Sequence, residues 1–367
     1  GNLIYMTQTA DTTVAFASTE GNTDTVYLIR KPDGTARTLT WPSGVAWNGG
    51  SEPTLAYGAS DFQVFKLTTR DNGATWYGNV SSEDTFKFGL WTWGNNQNYG
   101  MLGQNQAEAQ LAAISSPIQI PGTWTAAARD GSAISAVKED GTLWSWGNNT
   151  NGELGLNSRT EYSSPVQVPG TTWSKINRPM NFMSATKTDG TLWMWGSNDN
   201  GQLGQNNETR YSSPTQVPGT NWSQPCGFTW YASSAIKTDG TAWVWGANSS
   251  GILGQNQGPS AHYSSPVQIP GTNWNMTIGM GSDGALGLKT DGTLWAWGGN
   301  SQGRLGLNQS TPTKYSSPVQ IPGTNWSGIA SGAYQAYAIK TDGTLWTMGY
   351  NHVGQLGLND VANRSSP

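Results

Sequence analysis

Five aspartates recur at one place in this sequence and form its most regular set of groups capable of acid–base chemistry. They stand in the segments KEDGT and KTDGT, at Asp140, Asp189, Asp239, Asp291 and Asp342. Acid–base catalysis needs two groups in different surroundings around one substrate, whereas these carboxylates take the same place in every copy of a motif. Because Asp-Gly is also a hairpin signal, we assign them to structural turns and expect no catalytic residue among them.

The nucleophilic and metal-binding side chains are few. The chain has one cysteine, Cys226, and two histidines, His262 and His352. A reactive cysteine needs a basic partner, and Cys226 stands where a related segment has Ala330, so we expect a packed thiol. His262 takes a position that other copies fill with either charge sign, which indicates a solvated site. These three residues cannot supply a four-ligand zinc site.

The run SNDNG beginning at Ser197 is oxygen-rich, as a calcium-binding loop would be. The matching runs elsewhere read NNTNG, ANSSG and GNSQG and lack the carboxylate. We therefore interpret this run as a structural turn as well. The sequence leads us to expect no metal site, no cofactor and no enzymatic activity.

An internal repeat of about fifty residues positions all of these groups. Six segments match the pattern LWxWGxNxxGxLGxN or a close variant of it, and the first tryptophans of these segments are Trp91, Trp144, Trp193, Trp243, Trp295 and Trp346. A second motif, SSPVQIPG or a close variant, follows five of them, and the KTDGT-type motif precedes all but the first. A fixed period of this length indicates a solenoid, propeller or other repeat architecture.

Each repeat divides into four short strands. In the last complete one we expect strands at 327–330, 336–340 and 344–348, with Asp342 and Gly343 as a two-residue turn having positive φ at both positions. The SSPVQIPG motif supplies an outer strand, because proline is tolerated at a sheet edge. Four antiparallel strands repeated radially form a β-propeller blade. The fold class predicted is all-β, a propeller of six or seven four-stranded blades with a small N-terminal β module.

The motif W-x-W-G-x-N-x-x-G-x-L-G, followed by the proline-containing strand, resembles the regulator of chromosome condensation repeat family from Leu90 onward. The resemblance implies a propeller rather than one activity, since the family includes exchange factors and an enzyme inhibitor. The family often has a histidine a few residues before the end of the second strand, on the central face. The corresponding positions here lack it: they are Ala133, Phe182, Ala232, Gly284 and Gln335. This difference weakens transfer of the exchange-factor role.

The two ends of the repeat region are complementary. The first copy lacks a KTDGT hairpin before Phe86–Gly94, and Ser365-Ser366-Pro367 resembles the start of another outer strand. We expect the natural protein to continue beyond Pro367 and to complete a blade shared with the first copy, or neighbouring subunits to fill the gap. In this chain the closing blade is therefore expected to be incomplete.

The first eighty residues lack the repeat but are rich in strand-forming patterns. We predict a hairpin of Thr25–Arg30 and Arg37–Trp41 around the turn at 31–34, and a second hairpin around Asn72-Gly73. The stretch Leu39–Gly78 resembles a short module of phage tail and other virion proteins. The predicted domains are an attachment or docking module at 1–80 and a propeller at 81–367.

Composition restricts the function classes. Lysine and arginine number 19 against 23 acidic residues, with no basic run, so the electrostatic signature of nucleic-acid binding is missing. No apolar stretch is long enough for a membrane span. The abundance of tryptophan, 20 residues, argues against a disordered chain.

One set of positions varies where the rest of the repeat is constant. Six residues before each motif lysine, in the turn between the first and second strands, stand Ser132, Asn181, Tyr231, Asp283 and Tyr334, with Trp230 adjacent to one of them. Variable turns with aromatic side chains around one face are what a propeller uses for recognition. We predict that these six residues form a binding ring.

The leading functional hypothesis is a virion structural protein, a phage tail or fibre component located on the virion or outside the cell. Its partners would be other virion subunits or a host surface receptor, and it would form oligomers through assembly. The alternative is a non-viral protein-binding propeller, either an exchange factor or an enzyme inhibitor. A propeller enzyme would require two carboxylates close together in a central pocket, which the sequence does not indicate.

Overall fold

We describe a computed structural model of the chain. The structure describes residues 2–8, 10, 12–14, 24–32, 38–41, 45–47, 63–69, 76–81, 88–96, 99–106, 113–226, 229–258, 262–281, 283–309 and 314–367. The chain divides into two compact units, Gly1–Phe86 and Lys87–Pro367. Within the described ranges, no helix has the length and apolar character that crossing a membrane requires.

The first unit contains two small sheets. Its strands are β1 (Asn2–Gln8), β2 (Thr12–Thr13), β3 (Asp24–Pro32), β4 (Leu39–Thr40), β5 (Val45–Trp47), β6 (Gln63–Thr69) and β7 (Trp76–Ser81). The larger sheet has the order β1-β3-β6-β7-β5, and the smaller one pairs β2 with β4. The pairs β1·β3, β5·β7 and β2·β4 are parallel.

One of the two predicted hairpins in this unit is wrong. β3 pairs with β1 and β6, while β4 pairs with β2, so the strands on either side of the turn signal at 31–34 are not partners. A turn signal reports a reversal of the chain but not the strand next to which the chain then lies. The second predicted pairing is confirmed, because β6 and β7 are antiparallel with Thr69 opposite Trp76. The Asn72-Gly73 turn itself lies outside the described residues.

The second unit is a β-propeller, as the repeat predicts. Its strands are β8 (Phe88–Asn95), β9 (Ala113–Arg129), β10 (Ala133–Lys138), β11 (Leu143–Gly147) and β12 (Tyr162–Gln167) in blade 1; β13 (Trp173–Asn177), β14 (Phe182–Lys187), β15 (Leu192–Gly196) and β16 (Tyr211–Gln216) in blade 2; β17 (Trp222–Cys226), β18 (Ala232–Lys237), β19 (Ala242–Gly246) and β20 (Tyr263–Gln268) in blade 3; β21 (Trp274–Met280), β22 (Gly284–Lys289), β23 (Leu294–Gly299) and β24 (Lys314–Ile321) in blade 4; and β25 (Trp326–Ser331), β26 (Gln335–Lys340) and β27 (Leu345–Gly349) in blade 5. Short 3-10 turns lie at Ser249–Gly251 and Ser301–Gly303.

The predicted number of six or seven blades is wrong: the described part of the propeller has five. The six copies of the tryptophan motif make only five blades because β9 does not break. Its first half pairs with β8 and its second half with β10, so the first two copies share one five-stranded sheet. Blades 2, 3 and 4 have the predicted four strands, and blade 5 has three.

The constant hairpin of each blade differs from the predicted two-residue turn. In blade 2, the N–H of Gly190 donates to the carbonyl of Lys187, and the N–H of Lys187 donates to the carbonyl of Thr191. Gly190 has φ 77°, but Asp189 has no positive φ. This is a three-residue loop with glycine in the left-handed position. It leaves the aspartate carboxylate free to accept the N–H and hydroxyl of Thr191, at 2.9 and 2.6 Å.

Tryptophans of the third strand lock successive repeats together. Four of them have fractional exposures of 0 or 1%: Trp146, Trp195, Trp245 and Trp297. Each indole N–H donates to a loop carbonyl of the preceding repeat at 2.6–3.1 Å. A glycine of that loop lies against the ring; a Cβ on Gly155, for example, would be 2.6 Å from Nε1 of Trp195. The glycine of the Leu-Gly pair in each repeat therefore leaves room for the tryptophan of the next repeat.

Candidate recognition face

The turns between the first and second strands of all five blades meet around one cavity of about 420 Å³. Its lining comes from residues 130–131, 177–180, 229–230, 279, 281 and 331–333. Four of these lining positions are glycine: Gly131, Gly279, Gly281 and Gly332. A concave site reached from every blade is the expected location for a binding site on this architecture.

The six residues of the predicted ring lie at the ends of these turns. In each blade the backbone carbonyl of the ring residue accepts an N–H from the end of the third strand: the N–H groups of Asn148, Ser197, Ala247, Gly299 and Tyr350 donate to the carbonyls of Ser132, Asn181, Tyr231, Asp283 and Tyr334 at 2.7–3.0 Å. The ring positions are therefore geometrically equivalent while their side chains differ. Their predicted role in binding remains a prediction.

Among the ring residues and their neighbours, the exposed aromatic side chains belong to blades 3 and 5. Trp230, Tyr231 and Tyr334 have fractional exposures of 52, 48 and 51%. Trp230 packs edge-on against Tyr231, with ring centroids 6.5 Å apart, and Tyr334 packs against Tyr350 at 6.2 Å. Large aromatic rings are normally buried in such a fold, so this part of the face presents apolar area to solvent.

The blade 1 and blade 2 part of the face contains a buried polar cluster that the sequence analysis missed, beside Met180, whose side chain is exposed. Nε of Arg178 lies 3.3 Å from Oδ2 of Asp130, and both side chains are buried. Arg178 also donates from Nη1 to Oγ of Ser135 and to the carbonyl of Glu153. The available signal was a pair of opposite charges, Asp130 and Arg178, in the turns of successive repeats.

Burial changes the proton affinities in this cluster. Loss of solvation raises the pKa of Glu153, against the opposing effect of backbone N–H groups and of Arg178. Loss of solvation also lowers the pKa of Arg178, while Asp130 and Glu153 act in the opposite direction. Because guanidinium groups remain protonated in proteins, Arg178 is a buried cation held by acidic and carbonyl oxygens.

The other groups that could do chemistry are separate from one another. Cys226 is buried in the core, and burial raises the pKa of its thiol. His262 is exposed, and His352 stacks on Tyr350 with centroids 5.8 Å apart. Asp199 of the oxygen-rich run pairs with Arg210 at 2.6 Å. Among the described residues, no three His, Cys, Asp or Glu side chains come together as a metal site would require.

The fold and the repeated tryptophan locks define a protein of the repeat-propeller class. Models of the regulator of chromosome condensation (RCC1) repeat match residues 140–176, 189–225, 277–304 and 291–339. The chain therefore contains RCC1 repeats that form a β-propeller.

Curated relatives share part of this region. The human probable E3 ubiquitin-protein ligase HERC3 is 33% identical over 104 residues, which is 28% of this chain and 9% of that protein. The Caenorhabditis elegans X-linked retinitis pigmentosa GTPase regulator homolog is 34% identical over 102 residues, 27% of this chain and 7% of that protein. The matched segments thus span less than a tenth of either relative.

A solved structure extends the similarity over most of the chain. Prp20p from Saccharomyces cerevisiae, described with its binding properties to Gsp1p and histones, superimposes with a TM-score of 0.65 at 16% identity. The match covers 84% of this chain and 76% of Prp20p. At this level of identity the similarity shows a shared fold.

Proposed function

We propose that this chain is a protein-binding propeller and that its recognition surface is the face formed by the variable turns around the central cavity. The observation that carries the proposal is the exposure of Trp230, Tyr231 and Tyr334 beside that cavity. Tryptophan and tyrosine are enriched among the residues that dominate binding energy at protein interfaces. The remaining ring residues are serine, asparagine and aspartate on glycine-rich turns, a composition that also suits adaptable polar recognition.

One further observation supports a protein partner. The Prp20p structure is described with its binding properties to Gsp1p and histones, and this chain shares its fold. The identity of the partner would decide between the two roles of this kind, an exchange factor and an enzyme inhibitor.

The virion hypothesis is based on different observations. It depends on the resemblance of residues 39–78 to a tail module and on the low charge of nearly identical repeats. No relative or solved structure described above is a virion protein, so the protein-binding propeller is the better-supported reading. A virion or extracellular location, and a virion subunit or host receptor as partner, stay hypotheses that particle proteomics can test.

The proposal predicts that changes at the two ends of the same strands have different effects. The face variant Trp230→Ala/Tyr231→Ala/Tyr334→Ala alters the turns before β18 and β26. The control variant Thr238→Ala/Thr341→Ala alters exposed residues in the hairpins after those strands. Immobilised wild type, control and face variant would be incubated with extract of the source organism, and captured proteins quantified by mass spectrometry.

We expect at least one protein to be retained by wild type and control and to drop at least tenfold with the face variant. Three aromatic anchors account for a reduction of this size. Equal capture by all three proteins would contradict the proposed face.

A further inference from the structure

One carboxylate at the mouth of the cavity joins the turns of two blades. Oδ1 of Asp130 accepts the N–H groups of Ser132 and Ala133 at 2.7 and 2.8 Å, within blade 1. Oδ2 lies 3.4 Å from the backbone N of Asn181, in blade 2. Ser132 and Asn181 are both members of the ring. The position of each of these ring residues is therefore set partly by the same side chain.

Arg178 completes this connection from the other side. It belongs to the blade 2 turn, but Nη1 donates to Oγ of Ser135 at 2.9 Å and to the carbonyl of Glu153 at 3.2 Å, both in blade 1. Nε faces Asp130. A guanidinium holds several acceptors in one plane, so Arg178 can hold a strand, a loop and a turn of blade 1 in one arrangement.

The repeat supplies an internal control for the role of this pair. Asp130 lies eight residues before its motif lysine. The same position in the other blades is occupied by Pro179, Thr229, Gly281 and Gly332. Counted five residues after the first-strand tryptophan, the place of Arg178 is taken in blades 4 and 5 by Gly279 and Ser331. The later blades thus pack without this ion pair. For example, the hydroxyl of Ser331 donates to the carbonyl of Gly279 at 2.7 Å.

A buried ion pair that a blade boundary does not require needs another explanation. Removing two charges from water offsets much of their attraction, so such pairs commonly add little stability. What the pair does provide is a fixed geometry for two neighbouring turns. Asn181 has φ 64°, in the left-handed region that asparagine adopts more readily than most other non-glycine residues.

We propose that Asp130 and Arg178 are positioning residues of the recognition face, which hold the turns of Ser132 and Asn181 in one preformed arrangement. The inference rests on the proposed function, since it assigns these turns a role in recognition. A preformed surface loses less conformational entropy when a partner binds. On the aromatic side of the face a different buried arginine contacts the blade 5 turn: Nη1 of Arg304 donates to the carbonyl of Ala333 at 3.3 Å, and its guanidinium lies 4.9 Å from the ring centroid of Tyr334.

Site-resolved amide hydrogen exchange of the full chain tests this without a partner; the probe is D₂O. In Arg178→Met we expect the N–H groups of Ser132, Ala133 and Asn181 to exchange at least tenfold faster than in wild type. The equivalent turn amides of Tyr231 and Ala232 in blade 3 should be unchanged. Unchanged exchange at all of these amides, or the same acceleration in every blade, would overturn the proposal.

Asp130→Asn separates the two halves of the connection and serves if Arg178→Met does not fold. Its remaining oxygen can still accept from Ser132 and Ala133, whereas the amide nitrogen cannot accept from Asn181. We expect the largest acceleration of exchange at Asn181, which loses its acceptor, and a smaller one at Ser132 and Ala133; retained protection at Asn181 would overturn the proposal. The control is Arg210→Met, which removes an exposed arginine paired with Asp199 and should alter none of these amides.

The exchange result and the capture result are independent. Loss of capture by the aromatic variant with unchanged exchange in Arg178→Met would leave the proposed function standing and remove the positioning role. Faster exchange in Arg178→Met without any effect of the aromatic variant on capture would show that the pair holds the two turns but would contradict the proposed recognition face.

Discussion

The second strand of each blade connects two ends of opposite character. At one end stands the KTDGT-type hairpin, where aspartate, threonine, lysine and glycine form the same bonds in five copies. At the other end stands the turn of the proposed recognition face, where the residue at the ring position differs between neighbouring blades. In β14 the two ends are separated by only six residues, Phe182–Lys187. The blade therefore keeps one end constant for packing and leaves the other free to vary.

At the constant end, the hairpin residues form a connected set of hydrogen bonds and cation–π contacts. Asp189 accepts from Thr191, and Oγ1 of Thr191 accepts from the indole of Trp193 at 2.8 Å. Nζ of Lys187 lies 4.7 and 4.4 Å from the ring centroids of Trp173 and Trp193. Such cation–π contacts contribute about 0.5–2 kcal/mol each. Every group in this set depends on the others, which leaves little freedom for substitution.

The largest effect is expected where the constant framework locks adjacent repeats. Trp195→Ala should lower the free energy of unfolding by about 3–5 kcal/mol, because it removes a fully buried indole and its hydrogen bond to the carbonyl of Glu153. Trp93 has the same place in its repeat but is 61% exposed. Trp93→Ala should change stability by less than about 1 kcal/mol. Urea unfolding checks both, and equal losses would refute the lock.

A smaller loss of stability is expected at Gly155, the glycine that lies against the Trp195 indole. Comparing it with Gly357 separates the cost of the steric contact from the cost of backbone strain. Gly155 and Gly357 both have positive φ, 74° and 69°. A Cβ on Gly155 would be 2.6 Å from Trp195, whereas nothing lies within 4 Å of one on Gly357. Gly357→Ala should cost about 1–2 kcal/mol from strain alone. Gly155→Ala should cost about 1–3 kcal/mol more, from overpacking, and a similar loss in the two variants would show that the contact contributes nothing.

The hairpin aspartates predict how stability depends on pH. Hydrogen bonds from the threonine hydroxyl and N–H lower the pKa of Asp140, Asp189, Asp239, Asp291 and Asp342 below 3.8. A carboxylate with a lowered folded-state pKa stabilises the protein above pH 3.8, and this stability is lost as the pH falls through the folded-state value. The urea concentration at the unfolding midpoint should therefore decrease as the pH is lowered below 3.8. Asp189→Asn should reduce that dependence, and an unchanged profile would contradict the assignment.

The smallest effect on stability is expected at the variable end. Trp230→Ala, Tyr231→Ala and Tyr334→Ala remove side chains that are about half exposed, so each should change the free energy of unfolding by less than about 1 kcal/mol. The measurement is thermal or urea unfolding of the single variants. A loss as large as that of Trp195→Ala would mean that these aromatics belong to the core rather than to a recognition face.

The same contrast explains what the sequence could predict. The strands, hairpins and outer edges are readable because each signal occurs five or six times and each copy checks the others. The blade number is not readable, because periodicity does not reveal that β9 passes unbroken from one copy to the next. In the first unit, turn signals cannot indicate parallel partners such as β1 and β3.

The predicted binding ring and the ion pair show how far sequence reasoning reaches for the candidate site. The ring positions follow from counting back along the repeat, and the structure brings the turns that carry them around one cavity. The pairing of Asp130 with Arg178 does not follow from any repeat, because it occurs at one blade boundary and joins residues 48 positions apart. The sequence shows the two opposite charges, but the contact between them is seen only in the three-dimensional structure.

Photo-crosslinking tests most directly whether the variable end is the recognition surface. A photoreactive phenylalanine analogue would be placed at Tyr231, on the face, or at Thr238, in the hairpin at the other end of β18, and the chain irradiated with extract of the source organism. We predict a discrete crosslinked protein partner from position 231 and none from position 238. Crosslinking to the same partner from position 238 alone would contradict the account.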